Sequence, residues 1–300
     1  ALHMNPEGLE AEIMISHGWG EDVEQCQSAL KEAGICENAA VWFCTFAQYQ
    51  PEDGKGPSVQ AQLELAPFKC VIRSPEVHQM VAVHTTKADL YGRLWCVHEL
   101  DVALALGKEV IAAMSAEYRD QLVEQYMLVV DAGGGYTDAM EAAGLTVHTA
   151  RASCNAADKK MLIQQIFLQE GGFDRIDKHV TNFRKEKVQL VILQQLRDRA
   201  QKGELKPLTD AFFRGAWQAL AMMIEVAQTG QKKAIDWLCK LCAEQEVNTE
   251  FSIFDIHAEV VKSIYGMAKG GNAYAKQKLS AIAQLPHYEI SDGEFCPTLV

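Results

Sequence analysis

A chain of 300 residues with 48% hydrophobic and 23% charged residues has globular composition, is long enough for two domains, and leaves no place for long disorder. Its 40 acidic against 28 basic residues give a formal net charge of −12, so no broad basic field for nucleic acid is expected, and an anionic ligand would have to be held by local donors. Nine irregularly spaced cysteines predict reduced thiols in a cytoplasmic protein, the absence of an apolar run of about 18 residues predicts no membrane span, and Ala1-Leu2-His3-Met4 does not read as a signal peptide.

Residues 12–16 form a short apolar run that ends in His17-Gly18-Trp19-Gly20, which predicts a buried strand and a tight turn. Glu21 and Asp22 then open a helix with Val23, Cys26, Ala29, Leu30 and Ala33 on its apolar face and Gly34 as its C-cap. Residues 39–46 predict a second strand, rich in β-branched and aromatic side chains. A loop with Pro51, Gly54, Gly56 and Pro57 follows, then a short helix over 58–65. A third strand is expected at 79–84, an amphipathic helix over 90–106 closed by Gly107, and a fourth strand at 109–114. Residues 116–130 and 136–143 read as helices separated by Gly133-Gly134-Gly135. Residues 145–149 read as a fifth strand and 158–169 as a helix closed by Gly171-Gly172. Five strands alternating with helices predict a flavodoxin-like α/β domain, a five-stranded parallel sheet covered on both faces, over residues 10–172. In such sheets ligands sit at the carboxyl ends of the strands, here 16–20, 44–50, 84–91 and 114–118.

After Gly172 strand signals fade. One long charged helix is predicted, giving a connecting segment over 173–206 that Gly203 and Pro207 bring to an end, and then an all-α region over 207–290. In that region Ala227, Gly230, Ala234, Leu238 and Leu241 recur 41 residues later as Ala268, Gly271, Ala275, Leu279 and Ile282. A period near 40 is that of armadillo or HEAT helix pairs, and it also arises by chance among helix-rich sequences.

The sharpest candidate for chemistry is Trp95-Cys96-Val97-His98-Glu99-Leu100. Trp95 and Glu99 are four apart and are therefore neighbours on a helix, where a carboxylate beside an aromatic ring near a strand end can have its pKa altered by desolvation. Spacing alone favours an ordinary amphipathic helix with a core Trp and a solvated Glu, and His98 then belongs to the helix surface. The glycine triplet lacks the strand and Lys-Ser/Thr of a phosphate loop and reads as a helix break. Cys239 and Cys242 read as core residues, no second pair completes a zinc site, and the scattered His78, His84, His98 and His148 assign no metal. Ser16 is not in a nucleophile-elbow setting.

The stretch 89–114, with Trp95-Cys96, Glu99 four residues after the Trp, then Gly107-Lys108 and a strand, resembles the third helix and fourth strand of Toll/interleukin-1-receptor (TIR) domains. Ile13-Met14-Ile15-Ser16-His17 followed by Glu21-Asp22 resembles their opening strand, and the loop after the second strand falls where the family has its BB loop. The segment 48–78 is longer than in compact members, and Gly92 stands where many have Ser. The resemblance spans roughly 10–172.

Catalytic TIR domains cleave the nicotinamide–ribose bond of NAD, giving ADP-ribose that some of them cyclise. The resemblance implies this activity with Glu99 as the catalytic residue. The bond is N-glycosidic, its cleavage passes through an oxocarbenium-like state, and one carboxylate facing that cation supplies much of the stabilisation. Trp95 would form a wall of the pocket, Ser16, His17 and Trp19 would bound the nicotinamide-ribose side, Phe46 would stack on a ring, and Arg73 would pair with a phosphate. NAD is then a substrate, and no cofactor is implied. Such domains act as homo-oligomers; others are adaptors without turnover, or nucleotide sensors, and both remain alternatives.

Overall fold

The computed structural model describes residues 8–49, 55–134, 136–243, 253–285, 288–291 and 294–297. Pro51 and Gly54 of the expected loop, Gly135 of the glycine triplet and Ala1 to Met4 lie outside the described residues. Packing divides the chain into two units: Ala1–Leu122 with Leu145–Lys187, and Val123–Gly144 with Val188–Val300.

The first unit is α/β. Its sheet has four strands, β1 (Ile13–Ser16), β2 (Val41–Phe43), β3 (Gln79–His84) and β4 (Glu109–Met114), all parallel in the order β2-β1-β3-β4. The helices that accompany them are α1 (Val23–Glu32), α2 (Cys44–Ala47), α3 (Val59–Glu64), α4 (Pro67–Arg73), α5 (Leu94–Ala105) and the start of α6 (Ala116–Asp131), whose remainder belongs with α7 (Tyr136–Ala142) to the second unit, then α8 (Ala156–Phe167) and the first half of α9 (Gly172–Gln201). Successive strand side chains point to opposite faces, so the apolar runs supply two cores at once. Met14, Met80 and Ala82 pack with Val97 and Leu100 of α5, Leu162 and Ile166 of α8 and Ile176 and Val180 of α9. Ile13, Ile15, Val81, Val83 and Ala113 pack with Cys26 and Ala29 of α1. Asp22 caps α1, its carboxylate accepting from the backbone N–H groups of Glu24 and Gln25.

Three expectations are corrected here. Residues 145–149 do not add a fifth strand. Leu145, Val147 and Thr149 are buried, which gives the strand-like pattern, but their backbone is satisfied by α9: the Val147 N–H donates to Thr181 Oγ1 (2.9 Å) and the Thr149 N–H to Asp177 Oδ1 (2.7 Å). The second strand stops at Phe43, where its pairing with β1 ends at Ile15, and Cys44–Ala47 coil into the turn α2. Helix α5 is not amphipathic. Sheet, α8 and α9 surround it, so that Glu99, His98 and Asp101 are buried along with its apolar residues.

The second unit is mainly helical, with α10 (Lys206–Phe213), α11 (Gln218–Gln228), α12 (Lys232–Ala243), α13 (Ile253–Lys269) and α14 (Ala273–Ile282). The 41-residue offset maps the turn between α11 and α12 onto that between α13 and α14. Gly230 and Gly271 both take left-handed backbone there (φ +91° and +95°), and Ala234 and Ala275 are both fully buried. The region is not all-α, however: Tyr288–Ser291 (β5) and Glu294–Pro297 (β6) pair as an antiparallel hairpin. In the sequence an Asp-Gly pair, favoured by tight hairpin turns, stands between two short alternating segments.

Candidate active site

From β1 the chain leads to β2 on one side of it in the sheet, and β3 lies on the other; loops at the carboxyl end part at such a point and leave a crevice. A cavity of about 470 Å³ opens there, within the usual size of small-molecule sites. Its floor is Glu99, Cys96 and Trp95 of α5. One side is His17 and Trp19 beyond β1 with Cys44 of α2, another is Phe68 of α4, and Arg93, Asn155 and the buried Asp158 complete the lining.

Glu99 reaches the end of β1, where the Ser16 hydroxyl donates to its Oε2 at 2.6 Å. Both side chains are buried. Burial pushes the Glu99 carboxyl up to about 7, against the Ser16 hydrogen bond and the nearby His17 and Arg93, which favour the anion. The buried carboxyl is therefore poised between its neutral and charged forms near neutral pH. Beside it, the Trp95 ring stacks on Phe68 at 4.7 Å, and Trp42 meets Phe68 edge-on at 5.0 Å. The Trp95 indole N–H donates to Asp158 Oδ2 at 3.0 Å, and Asn155 Nδ2 donates to the same oxygen at 2.6 Å. The aromatic wall is thus fixed in plane and tilt.

Arg93 stands at the rim with extended backbone, just ahead of α5. Its guanidinium lies over the Trp19 ring at 4.9 Å, and one of its Nη atoms is buried with no hydrogen-bond partner among the described residues. A guanidinium with a spare buried N–H at a cavity mouth is a ready anion donor. Gly92 before it carries no positive φ. Its carbonyl accepts from the Ser153 N–H (2.7 Å) and hydroxyl (3.0 Å), which ties the turn to the segment that leads into Asn155.

The residues singled out from sequence separate into two groups. Glu99, Trp95, His17 and Trp19 line the cavity, and Ser16 sits behind Glu99 as its hydrogen-bond donor. Phe46 does not. It is 68% exposed, 5.4 Å from Phe43, and lines a neighbouring hollow of about 430 Å³ with His17, Trp19 and Val23. Arg73 is exposed at the last turn of α4 and contributes nothing to the cavity; the cation there is Arg93. His98, read as a surface residue, is buried, and its pKa is held down by that burial.

Several lining residues went unread. Arg93 lies within the motif but on extended backbone, so helical spacing from Glu99 does not place it. Phe68 follows Pro67 at the start of α4, a helix-start signal in an otherwise featureless insertion. Asn155 and Asp158 have the spacing of a helix cap and its first-turn acid, and Asn155 Oδ1 does accept from the Asp158 N–H. Comparison of the chain with known protein families, with characterised proteins and with solved structures finds no match.

Proposed function

We propose that this chain is a TIR-type NAD nucleosidase that cleaves the nicotinamide–ribose bond to give nicotinamide and ADP-ribose, linear or cyclised, with Glu99 as its catalytic residue. The observation that carries the reading is Glu99 itself: a buried carboxyl on a cavity floor, held by Ser16 and set beside an aromatic wall. The leaving nicotinamide is a neutral base, so no strong general acid is required. The demand falls on stabilising a cationic sugar, and a desolvated carboxylate interacts with such a cation more strongly than a hydrated one does. In this reading the nicotinamide ring lies against Trp95, which Asp158 and Phe68 hold in place, and Arg93 takes a phosphate oxygen of the diphosphate. The strand order agrees with a flavodoxin-like sheet that lacks its fifth strand, and the helix pairs of the second unit agree with an armadillo- or HEAT-like region.

Self-association belongs to the same proposal. Trp19, Val23 and Phe46 are exposed around one hollow beside the cavity, an apolar surface that a second copy of the domain would cover. No helix among the described residues is long and apolar enough to cross a membrane, and the eight cysteines whose side chains are described are free, which fits a reducing cytoplasm. The test is product analysis by chromatography after incubation with NAD. Release of nicotinamide by the wild type and none by Glu99→Ala is expected. Release that persists in the variant, or none by the wild type at high protein concentration, overturns the enzyme reading and leaves an adaptor or a nucleotide sensor.

A further inference from the structure

The proposed glycoside cleavage assigns no chemical step to one group in the cavity wall. His17 follows β1, and Glu21 lies four residues on, in the turn before α1. Cys44 begins the turn after β2. The sheet places β1 and β2 side by side, and so brings the three side chains into a line. His17 Nδ1 bonds Glu21 Oε1 at 2.8 Å, and His17 Nε2 faces Cys44 Sγ at 3.2 Å. The imidazole is nearly enclosed, and the Phe43 ring lies against it at 4.2 Å, which fixes its plane. A carboxylate orienting one imidazole nitrogen while the other meets a thiol is the arrangement by which a base activates a sulfur nucleophile. Both the 470 Å³ cavity and the adjacent 430 Å³ hollow are lined by His17 and Cys44, so the largely buried Cys44 borders both.

The other cysteines of the first unit have no histidine contact of this kind among the described residues. Cys96 donates its thiol to the His17 carbonyl at 3.2 Å, and burial pushes its pKa far up. Burial and the proximity of Glu21 push Cys26 up to about 12. Cys36 and Cys70 are exposed, and neither has a histidine partner among the described residues. His17 by contrast is held up to about 9: burial pulls it down, but the contacts with Cys44 and Glu21 more than offset that, which describes an imidazole stabilised in its protonated form against the sulfur.

We propose that Cys44 is a nucleophilic thiol activated by His17 and oriented through Glu21, and that it is a covalent modification site for small α,β-unsaturated carbonyl compounds that enter the cavity. The step is a conjugate addition. Sγ bonds the β-carbon, the carbon–carbon π pair moves to an enolate, His17 Nε2 gives a proton to the α-carbon, and the thiol proton of Cys44 replaces it on His17. Nothing leaves, and no oxidant or reductant is consumed. The inference is independent of the NAD reading, because it needs no substrate.

The test uses the whole chain and acrylamide as the probe, with the adduct at each cysteine followed by peptide mass spectrometry at pH 7. Cys44 is expected to react about tenfold faster than exposed Cys36 and Cys70. Glu21→Gln, which keeps the size of the side chain, and His17→Gln are both expected to bring Cys44 down to the rate of Cys36 or below, with Cys36 and Cys70 unchanged. A wild-type Cys44 no faster than Cys36, or a Cys44 rate that neither substitution lowers, overturns the proposal. The wild-type comparison stands even where a variant fails to fold.

Discussion

Under the proposed function, burial that raises the Glu99 carboxyl to about 7 makes the expected catalysis depend on pH in a defined direction. Only the carboxylate can oppose a developing cation, and that form is populated above about 7. The rate of NAD cleavage is therefore expected to rise between pH 6 and pH 8 with its inflection near 7; a rate that is flat or falls over this range contradicts the assigned role. The two arginines provide a second test. Arg93 has a spare buried N–H at the cavity mouth, whereas Arg73 points to solvent at the end of α4. Arg93→Ala is expected to raise the KM for NAD by about tenfold or more, the cost of roughly 1.4 kcal/mol or more of charge-assisted binding, while Arg73→Ala leaves it unchanged. Equal effects of the two substitutions in steady-state kinetics would remove Arg93 from the site. The sequence made Glu99, Trp95 and His17 legible because they lie in short motifs next to strand ends. It did not reveal Arg93 or Phe68, because neither shares a helical or strand period with the motif, and only the folded turn at Gly92 and the insertion helix α4 bring them to it.

At the scale of elements, α5 carries the largest departure from pattern. Its residues were legible as a helix, and the strands around it as a parallel sheet, since those signals are local and periodic. Its full burial was not, because it depends on α8 and α9, which arrive from at least 50 residues further along the chain. The consequence is Asp101, wholly buried and ion-paired with Arg175 of α9 at 2.6 Å, with His179 at 3.4 Å. The same helix took the hydrogen bonds that would have paired residues 145–149 as a fifth strand, through Thr181 and Asp177. Removing Arg175 leaves a carboxylate in the core without its main partner. Arg175→Ala is expected to destabilise the first unit by about 3 kcal/mol, and pairing it with Asp101→Leu to recover most of that, because an apolar replacement leaves no buried charge behind. Urea unfolding of the single and double variants measures this, and a double variant less stable than the single one would show that the ion pair itself is the stabilising element.

For the whole molecule, pH acts on stability through three buried groups of the first unit. The folded state keeps the His17 proton up to about pH 9, against an ordinary value of 6.5, so between these it holds a proton that the unfolded chain has lost, and stability falls as pH rises. Glu99 acts in the same direction from 4.5 to about 7, because the folded state refuses an ionisation that the unfolded chain accepts. His84, bonded to the Tyr91 hydroxyl at 2.8 Å, is pulled down to about 4 by burial and secondarily by Arg184; it acts in the opposite direction, and stability falls as pH drops from 6.5 towards 4. Below 6.5 the Glu99 and His84 slopes oppose each other. Above 6.5 those of Glu99 and His17 add, and the net charge of −12 adds its own self-repulsion. The unfolding temperature is therefore expected to be highest near pH 6 and to fall steadily up to pH 9. Glu99→Gln keeps an acceptor for Ser16 without the buried charge. It is expected to be more stable than the wild type at pH 8, by on the order of 2 kcal/mol, with the difference shrinking towards pH 5. Thermal denaturation of both proteins from pH 5 to pH 9 decides it: a wild-type unfolding temperature that is level or rising above pH 6.5, or a Gln variant less stable at pH 8, would mean that Glu99 is not held against ionisation by the fold.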